Sequence, residues 1–163
     1  MKTVIMFVLL VVATLAIAQT APPATPVSNL YAVGGSFNNA ASPAVAGTGL
    51  YAHKLGDSGT YAFTVIDALP NTLKPFTVNT NFGVGIAQKI ATIGKVPIYV
   101  PTSAGISYNG TNTGWAWSTG AMATIKIKNS SWYLLPNVRV VKSSVSNGTG
   151  YQPVVGIMFG WGQ

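Results

Sequence analysis

The sequence contains no cysteine and no glutamate, and its only acids are Asp57 and Asp67. Without cysteine there can be no disulfide and no thiolate metal site. A single histidine, His53, and two separated aspartates do not make a His/Asp metal set either, so no metal or other cofactor is expected. Charged residues of both signs make up 7% of the chain, against roughly 25% in a soluble domain. Long apolar runs are missing as well. Beyond the first twenty residues, no stretch approaches the ~18 residues that a spanning helix needs. A chain that is 48% hydrophobic, nearly uncharged and without a helical span is unusual in water. It is ordinary for a membrane β-barrel, whose backbone groups are satisfied between strands.

The shortage of acids also sets the charge. There are 9 Lys+Arg against 2 Asp+Glu, a net charge of +7. A basic balance can serve nucleic acid or anionic lipid. Here the lysines are dispersed and form no dense block, so nucleic acid is not expected as a partner.

What is present begins with Lys2, an apolar stretch over residues 4–17 and an Ala16-Ile17-Ala18 site. This pattern predicts a signal peptide over residues 1–18, cleaved near Ala18. An uncleaved membrane anchor is the alternative, disfavoured by the short apolar stretch and the good cleavage site. Residues 19–28 carry Pro22, Pro23 and Pro26 and read as a flexible proline-rich lead-in. The remainder, residues 29–163, is a single domain by its length.

Within it, period-2 alternation predicts eight strands, near residues 30–37, 47–55, 60–66, 76–91, 96–108, 114–128, 131–142 and 151–163. The fourth has Phe76, Val78, Phe82, Val84 and Ile86 on one face and Asn79, Asn81, Gly83, Gly85, Ala87 and Lys89 on the other. In the third, Tyr61, Phe63 and Val65 form the oily face, and Asp67 falls in the loop that follows. Pro101 and Pro136 lie inside strands, where β-bulges would accommodate them. Short connections after the second, fourth and sixth strands alternate with longer ones. That places the chain ends of the barrel on the short-turn side, periplasmic in an outer-membrane barrel.

Alternation alone does not say which face is wet. A soluble lipocalin-like barrel, binding a small apolar ligand, has the same period with its oily face inward. Two features favour an oily exterior. The polar face is mostly Gly, Ser, Thr, Asn and Ala, where a water-facing surface would carry many Lys and Glu. Aromatics also gather near strand ends, at Tyr31, Phe37, Phe76, Tyr108, Trp115, Trp132, Tyr151 and Trp161, as in two interfacial girdles. The expected fold is therefore all-β, an eight-stranded antiparallel up-and-down transmembrane β-barrel.

The signal peptide, the eight alternating strands and the closing stretch Val155, Ile157, Phe159 and Trp161 resemble the small outer-membrane β-barrels of Gram-negative bacteria, of the OmpX and OmpA transmembrane-domain type. The resemblance is architectural and covers residues 29–163. It implies a bacterial outer-membrane location, contact with outer-membrane lipid and lipopolysaccharide, and a monomer. It also implies that the last strand is the signal to the barrel assembly machinery, although here Gly162 and Gln163 follow the final aromatic.

Candidates for chemistry are few. A lipid-modifying barrel enzyme would need a histidine with a nucleophile and an orienting acid. His53 has only Asp57 nearby in sequence, with Asp67 expected at the opposite rim. No catalytic residue is assigned and no enzymatic activity is expected. Lys89, Lys126 and Arg139 fall on the expected lumen face with no acid expected beside them. Either they bond to neutral polar groups near water or they mark an anion-favouring interior. Eight strands leave an interior that side chains fill, so no large open pore is expected. Asn109-Gly110-Thr111, Asn129-Ser130-Ser131 and Asn147-Gly148-Thr149 match the glycosylation pattern but read as turns. The expected role is structural, surface-interacting or adhesion-like.

Overall fold

The computed structural model describes residues 27–38, 44–71, 77–145 and 151–163. They form one antiparallel sheet: β1 (Asn29–Asn38), β2 (Ala44–Leu55), β3 (Thr60–Asn71), β4 (Thr77–Ile93), β5 (Val96–Tyr108), β6 (Thr113–Ala123), β7 (Ile125–Lys126), β8 (Trp132–Ser143) and β9 (Tyr151–Gly162). β9 pairs with β1 from Leu30↔Gly162 to Asn38↔Val154, which closes the sheet. β6 and β7 are two parts of one span, because both pair with β8. The result is a closed barrel of eight spans. Closure gives every span a neighbour on both sides. The expected signal peptide and most of the proline-rich lead-in lie outside the described residues. Val27 and Ser28, the end of that lead-in, are fixed. The Ser28 N–H donates to Gln163 O at 2.7 Å, and its carbonyl accepts from the Lys54 N–H at 2.8 Å.

The two prolines produce missing rungs instead of bulges. Pairing of β6 with β8 stops at Met122↔Asn137 and resumes, in the same register, at Ile125↔Leu134 of β7. Pro136 lies in that gap and has no N–H to give the sixth span, which is why that span is split at Thr124. On its other side Pro136 keeps its place opposite Ile157. Pro101 similarly interrupts the β5–β6 ladder between Tyr99↔Met122 and Thr102↔Thr119 without shifting it. The shift that does occur is in β4, between Lys89 and Ala91.

Strands run further than alternation indicates. β3 continues through Asp67 to Asn71, and β2 begins at Ala44. The connections are then residues 56–59, 94–95 and 127–131 at one rim, and residues 39–43, 72–76, 109–112 and 144–150 at the other. The contrast in length between the two rims is smaller than the sequence suggests. The first set is called the turn rim below and the second the loop rim.

Side-chain direction follows the pleat. In β1, Leu30, Ala32 and Ser36 are buried inside, while Tyr31, Val33 and Phe37 face out. β9 places Val154 and Met158 inside and Tyr151 and Phe159 outside. β3 reverses the expectation: Tyr61, Phe63, Val65, Asp67 and Leu69 all point inward, and Ile66 points out. The lumen is thus less polar than expected. Its turn-rim half holds Leu30, Ala52, Tyr61, Phe63, Tyr99, Met122, Tyr133, Leu135 and Met158. Near the loop rim, Ala46, Leu69, Val141 and Val154 form a second apolar cluster. Polar side chains occupy the zone between.

Glycine allows the tight curvature. A Cβ on Gly105 would lie 2.0 Å from Phe82 O on β4, and one on Gly34 would lie 2.2 Å from Ile157 O on β9. Neighbouring strands approach at these points more closely than any side chain permits.

Candidate functional site

The middle of the lumen is built around Arg139 of β8. Its side chain crosses to the facing wall, where Thr48 and Asp67 are direct cross-strand partners on β2 and β3. Arg139 Nη2 donates to Asp67 Oδ1 at 2.8 Å and Nη1 to Asp67 Oδ2 at 3.1 Å, a bidentate pair. Nη2 also donates to Thr48 Oγ1 at 3.2 Å, while the Thr48 hydroxyl donates to Asp67 Oδ1 at 2.7 Å. Arg139 Nε donates to Asn137 Oδ1 at 3.3 Å, and the Asn137 amide turns its Nδ2 to Leu135 O and Gly156 O. Arg139 and Asp67 are 6% and 2% exposed, respectively, so the pair is screened from solvent. Bidentate geometry and a filled hydrogen-bond shell are what let two charges be buried together.

Above and below this network the lumen is packed. Ser103 bonds Ser118 at 2.8 Å and Ser143 bonds Ser107 at 2.7 Å, both across the interior face. Ser36 Oγ, Asn79 Oδ1 and both side-chain polar atoms of Asn81 have no protein partner among the described residues. In the turn-rim half, Tyr61 and Tyr99 meet edge to face with centroids 5.6 Å apart, and the Tyr61 hydroxyl donates to Val27 O at 3.1 Å. A cavity of about 30 Å³ remains beside them, lined by Val27, Leu30, Phe63 and Tyr133 among others. It has room for about two water-sized bodies.

The remaining basic residues assigned to the lumen sit elsewhere. Lys89 lies at the register shift of β4 and is exposed at the turn rim. Lys126 is half-buried in β7 at the same rim. The carboxylate that partners Arg139 escapes the sequence reading, which assigns Asp67 to a loop. The signal for it is Tyr61, Phe63 and Val65, whose period reaches Asp67 without a break.

The aromatics form two groups on the outer wall. Tyr51, Tyr31, Trp161 and Trp132 are consecutive cross-strand partners on β2, β1, β9 and β8. Their row runs round the turn rim, with Tyr31–Tyr51 centroids 5.0 Å apart and Tyr31–Trp161 6.2 Å apart. Gly162 and Gln163 extend the ladder past Trp161: the Gln163 N–H donates to Asn29 O at 2.9 Å. Toward the loop rim, Lys142 lies over the rings of Trp115 and Tyr151, 5.7 and 4.7 Å from their centroids, and Trp117 meets Tyr151 edge on. Phe37 and Tyr108 are exposed at the same end. Phe76 lies outside the described residues. Tyr51 escapes the sequence reading because β2 has the weakest alternation. Between the two groups lie exposed Val33, Phe82, Val84, Ile86, Ile106 and Phe159, with Val155 and Ile157 half-buried among them.

His53 is exposed at the turn rim, where its Nδ1 lies 2.9 Å from Asn29 Oδ1. Its ring partner is an amide, and Tyr51 donates to the same oxygen at 3.0 Å. Among the described residues no group of three His, Cys, Asp or Glu side chains comes together.

No family model matches the sequence, and no curated protein matches it significantly. Among solved structures, the chain is similar to the crystal structure of Neisserial surface protein A, with a TM-score of 0.60 and 7% identity. The likeness covers 83% of this chain and 96% of that one. At that identity the common property is the fold, a small closed antiparallel barrel.

Proposed function

We propose that this chain is an integral outer-membrane β-barrel that acts through its outer wall and rims, in a structural, surface-interaction or adhesion-like role, and conducts no large solute. The observation that carries this reading is the outward apolar band. Val33 is 69% exposed, Phe159 57% and Val84 56%, in a band between the aromatic groups. Soluble monomers do not leave patches of that extent in water, whereas hydrocarbon accepts them and aromatic rings favour its two interfaces. The polar zone at mid-lumen, with its bidentate ion pair, supports the same solvent assignment.

By the rule that outer-membrane barrels keep their shorter turns periplasmic, the turn rim faces the periplasm and the loop rim the cell exterior. Outer-membrane lipid and lipopolysaccharide then surround a monomeric barrel. Delivery by a signal peptide cleaved near Ala18 and recognition of the closing strand by the barrel assembly machinery belong to the same reading. A soluble carrier of an apolar ligand is less well supported, since pockets for such ligands are ~300 Å³ or more and the apolar cavity is about 30 Å³. An enzymatic role has no geometric support from His53, whose ring bonds Asn29.

Cell fractionation tests the proposal. The full chain is expected in the outer-membrane fraction, resistant to alkaline extraction and soluble only with detergent. Recovery from the periplasm without detergent would overturn it. In vesicles the barrel is expected to give no solute-dependent swelling, and His53→Ala is expected to leave lipid A composition unchanged.

A further inference from the structure

The chain's positive charge is not spread evenly over the barrel. Lys54, Lys89, Lys95, Lys126 and Lys128 all lie at the turn rim. Three of them, Lys54, Lys89 and Lys95, line a single cleft of about 380 Å³, together with Asp57, Ser58, Thr92 and Tyr99.

Strand lengths create the cleft. Pairing of β3 with β4 ends at Thr60↔Gln88, but β4 and β5 stay paired to Ile93↔Val96. The β4–β5 hairpin therefore projects past its neighbour and forms one wall. Residues 56–59, the turn between β2 and β3, form the other. The Lys89 N–H ties the two walls together by donating to Gly59 O at 3.2 Å. A Cβ on Gly59 would lie 3.1 Å from Lys89 Cβ, so the turn packs closely on the lysine stem.

The three cations in this cleft outnumber its one carboxylate, Asp57. The chain has two acidic side chains. Asp67 is committed to Arg139 inside the lumen. Asp57 is fully exposed and reaches Lys54 at 3.4 Å, a distance and exposure that make the pair weak. No acidic side chain is left anywhere in the sequence for Lys89 and Lys95. Three ammonium groups around one cleft with a single exposed carboxylate leave an excess of positive charge, which an anion from outside relieves. Lysine heads are mobile point charges suited to phosphate oxygens, and Thr92 adds a hydroxyl donor. Ile90 and Ile93, exposed on the same hairpin, offer apolar surface beside the cationic one.

We propose that this cleft binds a phosphate group, carried either by an anionic lipid headgroup or by a free phosphate. Assignment of the lipid to the periplasmic leaflet rests on the membrane reading above; the anion chemistry does not. The isoleucines favour the lipid source, since acyl chains can lie against them while the headgroup meets the lysines.

The test is a titration of the folded barrel in maltoside micelles, followed by the amide resonances of Gly59, Lys89, Thr92 and Gly94. The probes are inorganic phosphate, short-chain phosphatidylglycerol and short-chain phosphatidylcholine. Saturable shifts with phosphatidylglycerol and none with phosphatidylcholine or phosphate support a lipid headgroup site. Equal saturation by inorganic phosphate supports the site with free phosphate as its source. Lys89→Gln with Lys95→Gln is expected to weaken binding about fivefold for each lysine removed, while Lys126→Gln with Lys128→Gln leaves it unchanged. Absence of shifts with every anion overturns the proposal. Equal weakening by both double variants overturns it too, because the attraction would then be diffuse rim charge. The inorganic phosphate arm reads the cleft whether or not the barrel proves to be membrane-inserted, so the two proposals fail separately.

Discussion

Arg139 and Asp67 stand 72 residues apart in the chain and meet across the lumen through two hydrogen bonds of 2.8 and 3.1 Å. The pair ties β8 to β3, strands that share no ladder. Removing one partner leaves a charge inside a packed interior. Asp67→Asn is therefore expected to destabilise the barrel by about 3–5 kcal/mol, whereas Asp67→Leu combined with Arg139→Met should come close to the wild type. Urea unfolding in lipid vesicles, followed by tryptophan fluorescence, measures both. If the single substitution is as stable as the wild type, the pair is not a mid-lumen tie.

The close strand approach at Gly105 gives a second expectation. Its missing Cβ would sit 2.0 Å from Phe82 O, while a Cβ on Gly47 would meet nothing within 4 Å. Gly105→Ala is expected to cost about 1–3 kcal/mol, the usual range for overpacking. Gly47→Ala should stay within about 0.5 kcal/mol of the parent. The same urea titration compares them, and equal midpoints would mean that the strands can part at Gly105 without loss.

Lys142 provides a third. Its ammonium lies over two rings on the outer wall, 5.7 Å from the Trp115 centroid and 4.7 Å from that of Tyr151. Such contacts contribute about 0.5–1 kcal/mol at exposed sites. Lys142→Met keeps the stem and removes the charge, so a loss of that size is expected. Once Tyr151→Leu has removed the nearer ring, the same Lys142→Met substitution should cost much less. A double-mutant cycle checks it, and additive losses would show that the ring and the ammonium are not coupled.

Much of this architecture is legible because the pleat writes the wall into the sequence. Val155, Ile157, Phe159 and Trp161 face outward as their alternation implies, and Asn79 and Asn81 face in. Alternation carries no sign, however. In β3 both faces hold apolar side chains, so Tyr61, Phe63 and Val65 read as the outer face although they fill the lumen. That error also hides Asp67, since its inward position follows from theirs. Pro101 and Pro136 show where pairing fails but not how. A missing N–H can be met by one absent rung or by a bulge, and only the partner strand's geometry chooses between them. The lysine cleft is invisible for a different reason. Lys54, Lys89 and Lys95 come together through the overhang of the β4–β5 hairpin, a difference in strand length that no local pattern encodes.

The depth of a side chain along the barrel supplies the sharpest check on the solvent of the outer wall. Val33 lies midway along β1 and Val45 near the loop-rim end of β2, and they are almost equally exposed, at 69% and 65%. In water two such positions are equivalent, and a charge at either should change stability by no more than about 0.5 kcal/mol. In a bilayer they differ, because a midplane arginine costs about 2–4 kcal/mol and one near the interface about 0–1 kcal/mol. Val33→Arg is therefore expected to lower stability in vesicles well below that of Val45→Arg. Neither residue touches the lumen, so the comparison is free of core packing. Equal effects of the two substitutions would mean that the outer wall meets a uniform solvent, and the membrane reading would fall with the depth dependence.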